Sequence, residues 1–151
     1  MDNETFGKLV REYMPNMYRL ALGMLCSKAD AEDAVCEAVL KAYENLDRLK
    51  KQERFKSWIM QITANEARKI YRKSKREVGM EHVDDVMPAF LDDYHELWDA
   101  VMTLEEIYRE VIILYFYVSL SVKEISKTLH IAEGTVKSRL SRGKKALKAV
   151  L

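Results

Sequence analysis

Apolar residues recur along this chain at helical spacing, and no all-β pattern accompanies them. Phe6, Leu9, Val10 and Tyr13, then Met17, Tyr18, Ala21, Leu22 and Leu25, lie on helical faces, and Pro15 between the two series predicts two consecutive helices. Ser27 to Ala29 reads as a short connection. Asp30, with Asp33 three residues on, reads as the next N-cap, close to a capping box. The helix it opens has the clearest pattern in the chain: Ala34, Val35, Ala38, Val39, Ala42, Tyr43 and Leu46 form one stripe. Glu32, Asp33, Glu37, Lys41 and Glu44 lie off that stripe. The polar run from Arg48 to Arg54 breaks the periodicity and reads as a loop. Phe55, Trp58, Ile59, Ile62 and Ile70 then restart a helix whose aromatic end should pack and whose basic end should be wet.

Glu77 to Tyr94 has weak periodicity, with Gly79, Pro88 and paired aspartates, and reads as a flexible acidic linker (77–94) between domains at 1–76 and 95–151. Beyond it Leu97, Val101, Leu104, Val111, Ile112, Leu114 and Tyr115 predict two more helices. From Leu120 to Lys145 the chain reads as two short helices around a tight corner. Val122, Ile125 and Leu129 make the apolar face of the first, with Ser121 as N-cap. Val136, Leu140 and Leu147 face inward on the second, while Lys137, Ser138, Arg139, Ser141, Arg142, Lys144 and Lys145 fill its other sides. Gly134 lets the backbone of that helix come close to a partner, and Thr135 can cap it or donate to a phosphate. Helix, turn and basic helix in this order make a helix-turn-helix, whose second helix enters the major groove of DNA. The expected fold is all-α, in two helical domains.

Composition agrees: 48% hydrophobic and 32% charged residues, with 5 Gly and 2 Pro, suit a helical globular chain. A net charge of +1 argues against nucleic acid only until its distribution is considered. Arg68, Lys69, Arg72, Lys73, Lys75 and Arg76 form one basic run and Lys137 to Lys148 another, separated by a stretch rich in acids. The N-terminus lacks the apolar run of a signal peptide, and no stretch of about 18 apolar residues predicts a membrane span, so the expected compartment is the cytoplasm. Cys26 and Cys36, the only cysteines, are too far apart for a CxxC motif and are expected reduced and packed.

Enzyme readings find little. His82, Asp84, Asp85, Asp92, Asp93, His95 and Glu96 have no recognisable ligand spacing, and no Ser–His–Asp set, phosphate loop or dinucleotide fingerprint appears. No cofactor, metal or small-molecule substrate is expected. A helix-turn-helix by itself leaves open a dimeric regulator, with residues 1–76 as its dimerisation or sensory module, and a helical adaptor that binds only protein.

Three stretches narrow the choice. DAEDAVCEAVLKAYENLDRL from Asp30, RFKSWIMQITANEARKIYRKSKR from Arg54 and YREVIILYFYVSLSVKEISKTLHIAEGTVKSRLSRGKKAL from Tyr108 resemble, in order, the signature stretches of the sigma-70 family in its extracytoplasmic-function type. The resemblance covers nearly everything outside the linker. It implies a first domain that binds the β′ clamp of core RNA polymerase and melts the minus-ten element, and a second that reads the minus-thirty-five element and meets the β flap. It also implies an anti-sigma factor as inhibitory partner.

Carried over by resemblance, Asp30, Glu32, Asp33 and Glu37 face the clamp. An exposed acidic face opposite an apolar stripe suits a basic partner surface. Minus-ten DNA falls to Lys50 and Arg54 in the loop and to Trp58, Asn65, Arg68, Lys69, Arg72 and Lys73 on the helix. There Phe55 and Trp58 are first of all core aromatics, with a stacking surface for unpaired bases as the second reading. On the recognition helix Lys137, Ser138, Ser141 and Arg142 match positions that reach base edges. Thr135, Arg139, Lys144 and Lys145 match positions that hold phosphates. The family often has Gln where Cys36 stands, Pro where Glu105 and Ala132 stand, and Gly where Ser119 and His130 stand. A non-Gly residue at His130 must accept whatever φ the corner requires.

Overall fold

The computed structural model describes residues 1–77 and 95–151, with residues 75–77 described by their backbone alone. Among the described residues the chain is helical, without strands, and it divides into two compact units, Met1–Val86 and Met87–Leu151. The expected linker lies outside the described residues from position 78 to 94, and so do His82, Asp84, Asp85, Asp92 and Asp93. The first unit holds α1 (Asn3–Leu25), α2 (Lys28–Glu44) and α3 (Phe55–Glu77); the second holds α4 (His95–Met102), α5 (Glu106–Ile112), α6 (Val122–Leu129) and α7 (Glu133–Val150).

α1 is one helix of 23 residues with Pro15 inside it, not the two helices that Pro15 predicts. Proline removes one backbone hydrogen bond and crowds the preceding turn, at about 3 kcal/mol. The residues on either side of it are anchored, however, because Phe6, Val10, Met17, Leu20 and Leu22 are all buried against the bundle. Full burial of each such side chain contributes about 1.5–3 kcal/mol, so packing outweighs the break. Asp2 caps the helix by accepting the Thr5 amide at 2.8 Å.

α2 starts earlier than its expected cap. Ser27, with extended backbone, accepts the Asp30 amide on its hydroxyl at 3.2 Å, so Ser27 is the N-cap and Asp30 already belongs to the first turn. Ala31, Ala34, Val35, Ala38 and Ala42 are buried, and these small side chains let α2 lie close to α1 and α3. Tyr43, expected on the buried stripe, is 52% exposed. Cys36 is exposed as well, contrary to the packing expected of it, because it lies on the open side between Asp33 and Glu37. Cys26 ends α1 in the left-handed region at φ 53°.

α3 packs on both α1 and α2, so its buried face is wider than the expected series and rotated from it. Phe55, Ile59, Met60, Thr63, Ala64, Glu66 and Ala67 are buried, whereas Trp58, Ile62 and Ile70 are only half-buried. The preceding loop contains two single 3-10 turns, Leu46–Arg48 and Gln52–Arg54. Phe55 ties α3 to α1: its ring lies 6.1 Å from Phe6 and 6.0 Å from Tyr13, and 5.9 Å from Trp58 on its own helix, while Phe6 in turn lies 5.6 Å from Tyr43 of α2.

In the second unit α7 packs against α4, α5 and α6. The closest approach is at Gly143, where an added Cβ would meet Ile112 Cγ1 at 2.9 Å. Arg109 is buried and donates to the Leu104 carbonyl at 3.0 Å, satisfying an acceptor left open beyond the end of α4. A π-helical turn, Ile113–Tyr117, follows α5 and brings the Tyr115 and Phe116 rings to the surface. Tyr115 thus leaves the apolar series that, read from the sequence, should supply the core of this unit. Ser121 opens α6 with a full capping box: it accepts the Glu124 amide at 3.1 Å and its own amide donates to Glu124 Oε1 at 2.9 Å.

At Ser119, His130, Glu105 and Ala132 the backbone suits the residue that the family often has there. Ser119 and His130 sit at φ 62° and 57°, in the left-handed region where glycine is free of strain. Glu105 and Ala132 sit at φ −59° and −67°, the value to which a proline ring is locked.

Candidate nucleic-acid interface

The half-buried side of α3 carries a straight row. Trp58, Gln61, Asn65, Arg68 and Arg72 are spaced three, four, three and four residues apart, which puts them on one helical face. Trp58 is held at one end by its ring contact with Phe55. Arg68 donates to Asn65 Oδ1, so these two stand as one unit. Arg72 and Lys73 are exposed at the far end, and Lys50 and Arg54 are exposed in the loop before the helix.

Lys69 is set differently. Its ammonium lies 3.3 Å from Oε2 of buried Glu66, which also takes Lys41 of α2 at 2.8 Å. The hydrogen bond that Lys41 donates to Glu66 raises the Lys41 pKa above its ordinary value. Lys69 therefore leans toward α2 while the row points outward. Neither Gln61 nor Glu66 was singled out by the sequence. The three-four spacing through Trp58, Asn65, Arg68 and Arg72 contains the signal for Gln61.

α7 exposes Lys137, Ser138, Ser141, Arg142 and Lys145, with Thr135 and Arg139 half-buried along one flank. Val136, Leu140 and Gly143 are buried on the opposite side, and Leu147 is half-buried there. Thr135 does not cap: Ala132 precedes the helix without a side-chain bond, which leaves the first N–H groups of α7 uncapped by a side chain. Ser138 donates to the Thr135 carbonyl at 3.1 Å. Nothing in the chain lies within 4 Å of where a Cβ on Gly134 would stand. Lys144 stands apart from the other basic residues. Its ammonium lies 5.2 Å and 5.5 Å from the ring centres of Tyr115 and Phe116, a cation–π contact that draws it back over the π-helical turn that follows α5.

The acidic residues of α2 also separate. Glu32, Asp33 and Glu37 are exposed, but Asp30 is half-buried and accepts the Ser74 hydroxyl of α3 at 3.5 Å. Between the acids and Glu44 the open side carries exposed Leu40, which the sequence did not single out, and Tyr43, which the periodicity assigns to the buried stripe. Among the described residues no group of three His, Cys, Asp or Glu is placed to hold a metal ion, and no helix is long and apolar enough to cross a membrane.

Comparison with known proteins covers both units. The family described as Sigma-70 region 2 matches residues 9–77, and Sigma-70, region 4 matches residues 94–147. The chain is 31% identical to the ECF RNA polymerase sigma factor SigW of Bacillus subtilis, over 99% of this chain and 90% of that protein. It is also 31% identical to SigM of the same organism, over 97% and 94%. Among solved structures it is similar to the sigma factor RpoE of Bartonella quintana, crystallised with the anti-sigma factor NepR. That match has a TM-score of 0.78 and 25% identity, covering 97% of this chain and 96% of that one. The fold also matches CnrH, solved with the cytosolic domain of CnrY, at a TM-score of 0.69.

Proposed function

The chain belongs to the sigma-70 family, in its extracytoplasmic-function type, and from that membership we propose that it is a dissociable subunit of bacterial RNA polymerase that directs promoter binding, melting and initiation. The observation that carries this is the match of both regions, in order, to the two units of the fold. In this reading the chain supplies recognition and melting in the cytoplasm, and the polymerase supplies the chemistry.

Glu32, Asp33 and Glu37 meet basic residues of the β′ clamp, where complementary charge steers the encounter. Asp30, engaged by Ser74, supports the start of α2 more than it faces a partner. The α3 row takes the minus-ten element: Trp58 offers a ring to an unstacked base, Asn65 and Arg68 act together, and Arg72 and Lys73 lie along phosphates, as Lys50 and Arg54 do from the loop. On α7, Lys137, Ser138, Ser141 and Arg142 reach base edges in the major groove, while Thr135, Arg139 and Lys145 hold phosphates. Each unit reads only a few base pairs, so affinity comes from tethering both through the polymerase, the second unit also meeting the β flap. An anti-sigma factor is the expected inhibitor, as the complex of the similar RpoE with NepR suggests.

Two measurements test this reading. The purified chain added to core RNA polymerase forms a complex and directs run-off transcription from a cognate promoter; failure to bind core would refute it. Arg142→Ala relaxes selection at one upstream base pair by about 1–3 kcal/mol, whereas Lys145→Ala weakens all upstream sequences alike. A binding-site profile with those two effects exchanged would overturn the division of roles on α7.

A further inference from the structure

The buried carboxylate of Glu66 holds two lysines through one oxygen. Lys41 of α2 lies 2.8 Å from Oε2 and Lys69 of α3 lies 3.3 Å from the same atom, and Glu66 itself is only 6% exposed. Such a carboxylate needs a cation beside it, because an uncompensated buried charge is costly. It does not need two. Lys69 has the longer contact and the more exposed side chain, 59% against 37% for Lys41, so it is the one that can leave. Lys41, for its part, is not wholly committed to Glu66. Glu37 stands four residues before it on α2, where the two side chains are neighbours, and the Lys41 pKa is raised first by Glu66 and further by the charge of Glu37. Glu37, Lys41, Glu66 and Lys69 therefore alternate in sign from the exposed acidic face of α2 to the basic side of α3, and their charges sum to zero.

We infer that Glu66 is a positioning residue that links the two faces: a basic group that takes Glu37 leaves Lys41 to Glu66 alone, and Lys69 is released toward a phosphate. This rests on the clamp and DNA roles proposed above. A cation added at one end of a neutral row leaves one positive charge in excess, and the charge held least firmly is Lys69. Once free, its long stem reaches the side of exposed Lys73, one turn on, where the phosphates of an opened strand pass. Without the clamp, Glu37 draws on Lys41, and Glu66 keeps Lys69 to complete its own neutralisation. The chain alone thus withholds one phosphate contact that the complex with polymerase makes. The coupling is reciprocal, so DNA that holds Lys69 strengthens the grip of the clamp on Glu37.

The test measures binding of a fluorescent single-stranded oligonucleotide over a range of salt, to the full chain alone and to its complex with core RNA polymerase. Each phosphate contact made by a lysine adds about 0.7 to the slope of log affinity against log salt on a single strand. In the chain alone, Glu37→Gln imitates the clamp and steepens the slope by about that much, and Glu66→Gln does the same. Adding Lys69→Met to either variant returns the slope to that of wild type. In the complex with core, Glu66→Gln has the wild-type slope, because Lys69 is already free there. Glu37 is exposed, so its substitution leaves the bundle intact even where Glu66→Gln loosens it. Glu12→Gln removes an equally exposed acid of α1, and a gain as large as that of Glu37→Gln would overturn the inference by showing that lost negative charge suffices. An unchanged slope in Glu37→Gln, or a gain that Lys69→Met leaves in place, would also overturn it. Failure of wild type to bind core would refute the polymerase-subunit role and this coupling with it, whereas a complex that forms with the wild-type slope in every variant, alone and on core, refutes the coupling only.

Discussion

α3 and α7 are both basic helices proposed to face DNA, and they are held in contrasting ways. α3 is packed by both other helices of its bundle, buries seven residues from Phe55 to Ala67, and ties many of its polar groups to one another or to α2. α7 buries Val136, Leu140 and Gly143 and leaves its basic side chains in solvent, apart from half-buried Arg139 and Lys144 over its two rings. The difference suits the two tasks. Opening a duplex costs a few kcal/mol in unstacking, which an already ordered surface can offset without spending free energy on ordering itself. Reading an intact major groove asks only for a projecting helix whose long side chains reach the edges. The same contrast puts backbone strain in different places. Among the described residues the first unit has one left-handed non-Gly residue, Cys26, and the second has Ser119 and His130 at its corners.

The largest way to break this comparison is to force α7 off α5. Gly143→Leu drives a side chain into Ile112, itself 1% exposed, and the second unit should lose about 1–3 kcal/mol. Hydrogen exchange should then show α7 amides losing protection while those of α3 keep theirs. Equal loss in both units would mean that they do not stand independently.

A smaller change sharpens the contrast in strain. His130→Gly removes the Cβ from a left-handed corner and should stabilise the second unit by about 1 kcal/mol, read as a higher midpoint in urea unfolding. A lower midpoint would show that the imidazole holds the corner by more than the backbone costs.

The smallest effect concerns the clip between α2 and α3. Because Glu66 raises the Lys41 pKa, the pair contributes fully below the ordinary lysine value of 10.5 and is lost as pH rises through the folded-state value. Lys41→Met, which keeps the aliphatic stem, should lower the melting temperature of the first unit at neutral pH. Its difference from wild type should shrink above pH 10.5. A difference that persists there would assign the effect to packing.

Local chemistry was legible wherever one residue type decides a local geometry. Ser121 declared itself as a cap, and the apolar series of α6 and α7 declared the helix-turn-helix with its basic open side. The acids at 32, 33 and 37 declared an open face on α2, and the order of three stretches declared the family. Contacts between elements were not legible. Pro15 argues for a break if only its own turn is counted, and packing on both sides of it decides otherwise. The spacing of Trp58 and Ile62 suits a core stripe, yet three-helix packing rotates α3 so that Ala64, Glu66 and Ala67 go in and Trp58 remains at the surface. Lys144 and Asp30 look like free charges until Tyr115, Phe116 and Ser74 are brought beside them.

By itself the sequence determined two helical units, a reader of DNA in the second, and membership of the family. The first two follow from periodicity, capping and charge, which act within a few residues along the chain, and the third from the resemblance of three stretches in their order. Only the tertiary structure decided which side of α3 faces outward, which of the basic and acidic residues are already engaged, and that Glu66 takes a lysine from each of two helices. Those depend on which helices meet, and side chains far apart in sequence settle that together by competing for the same buried volume.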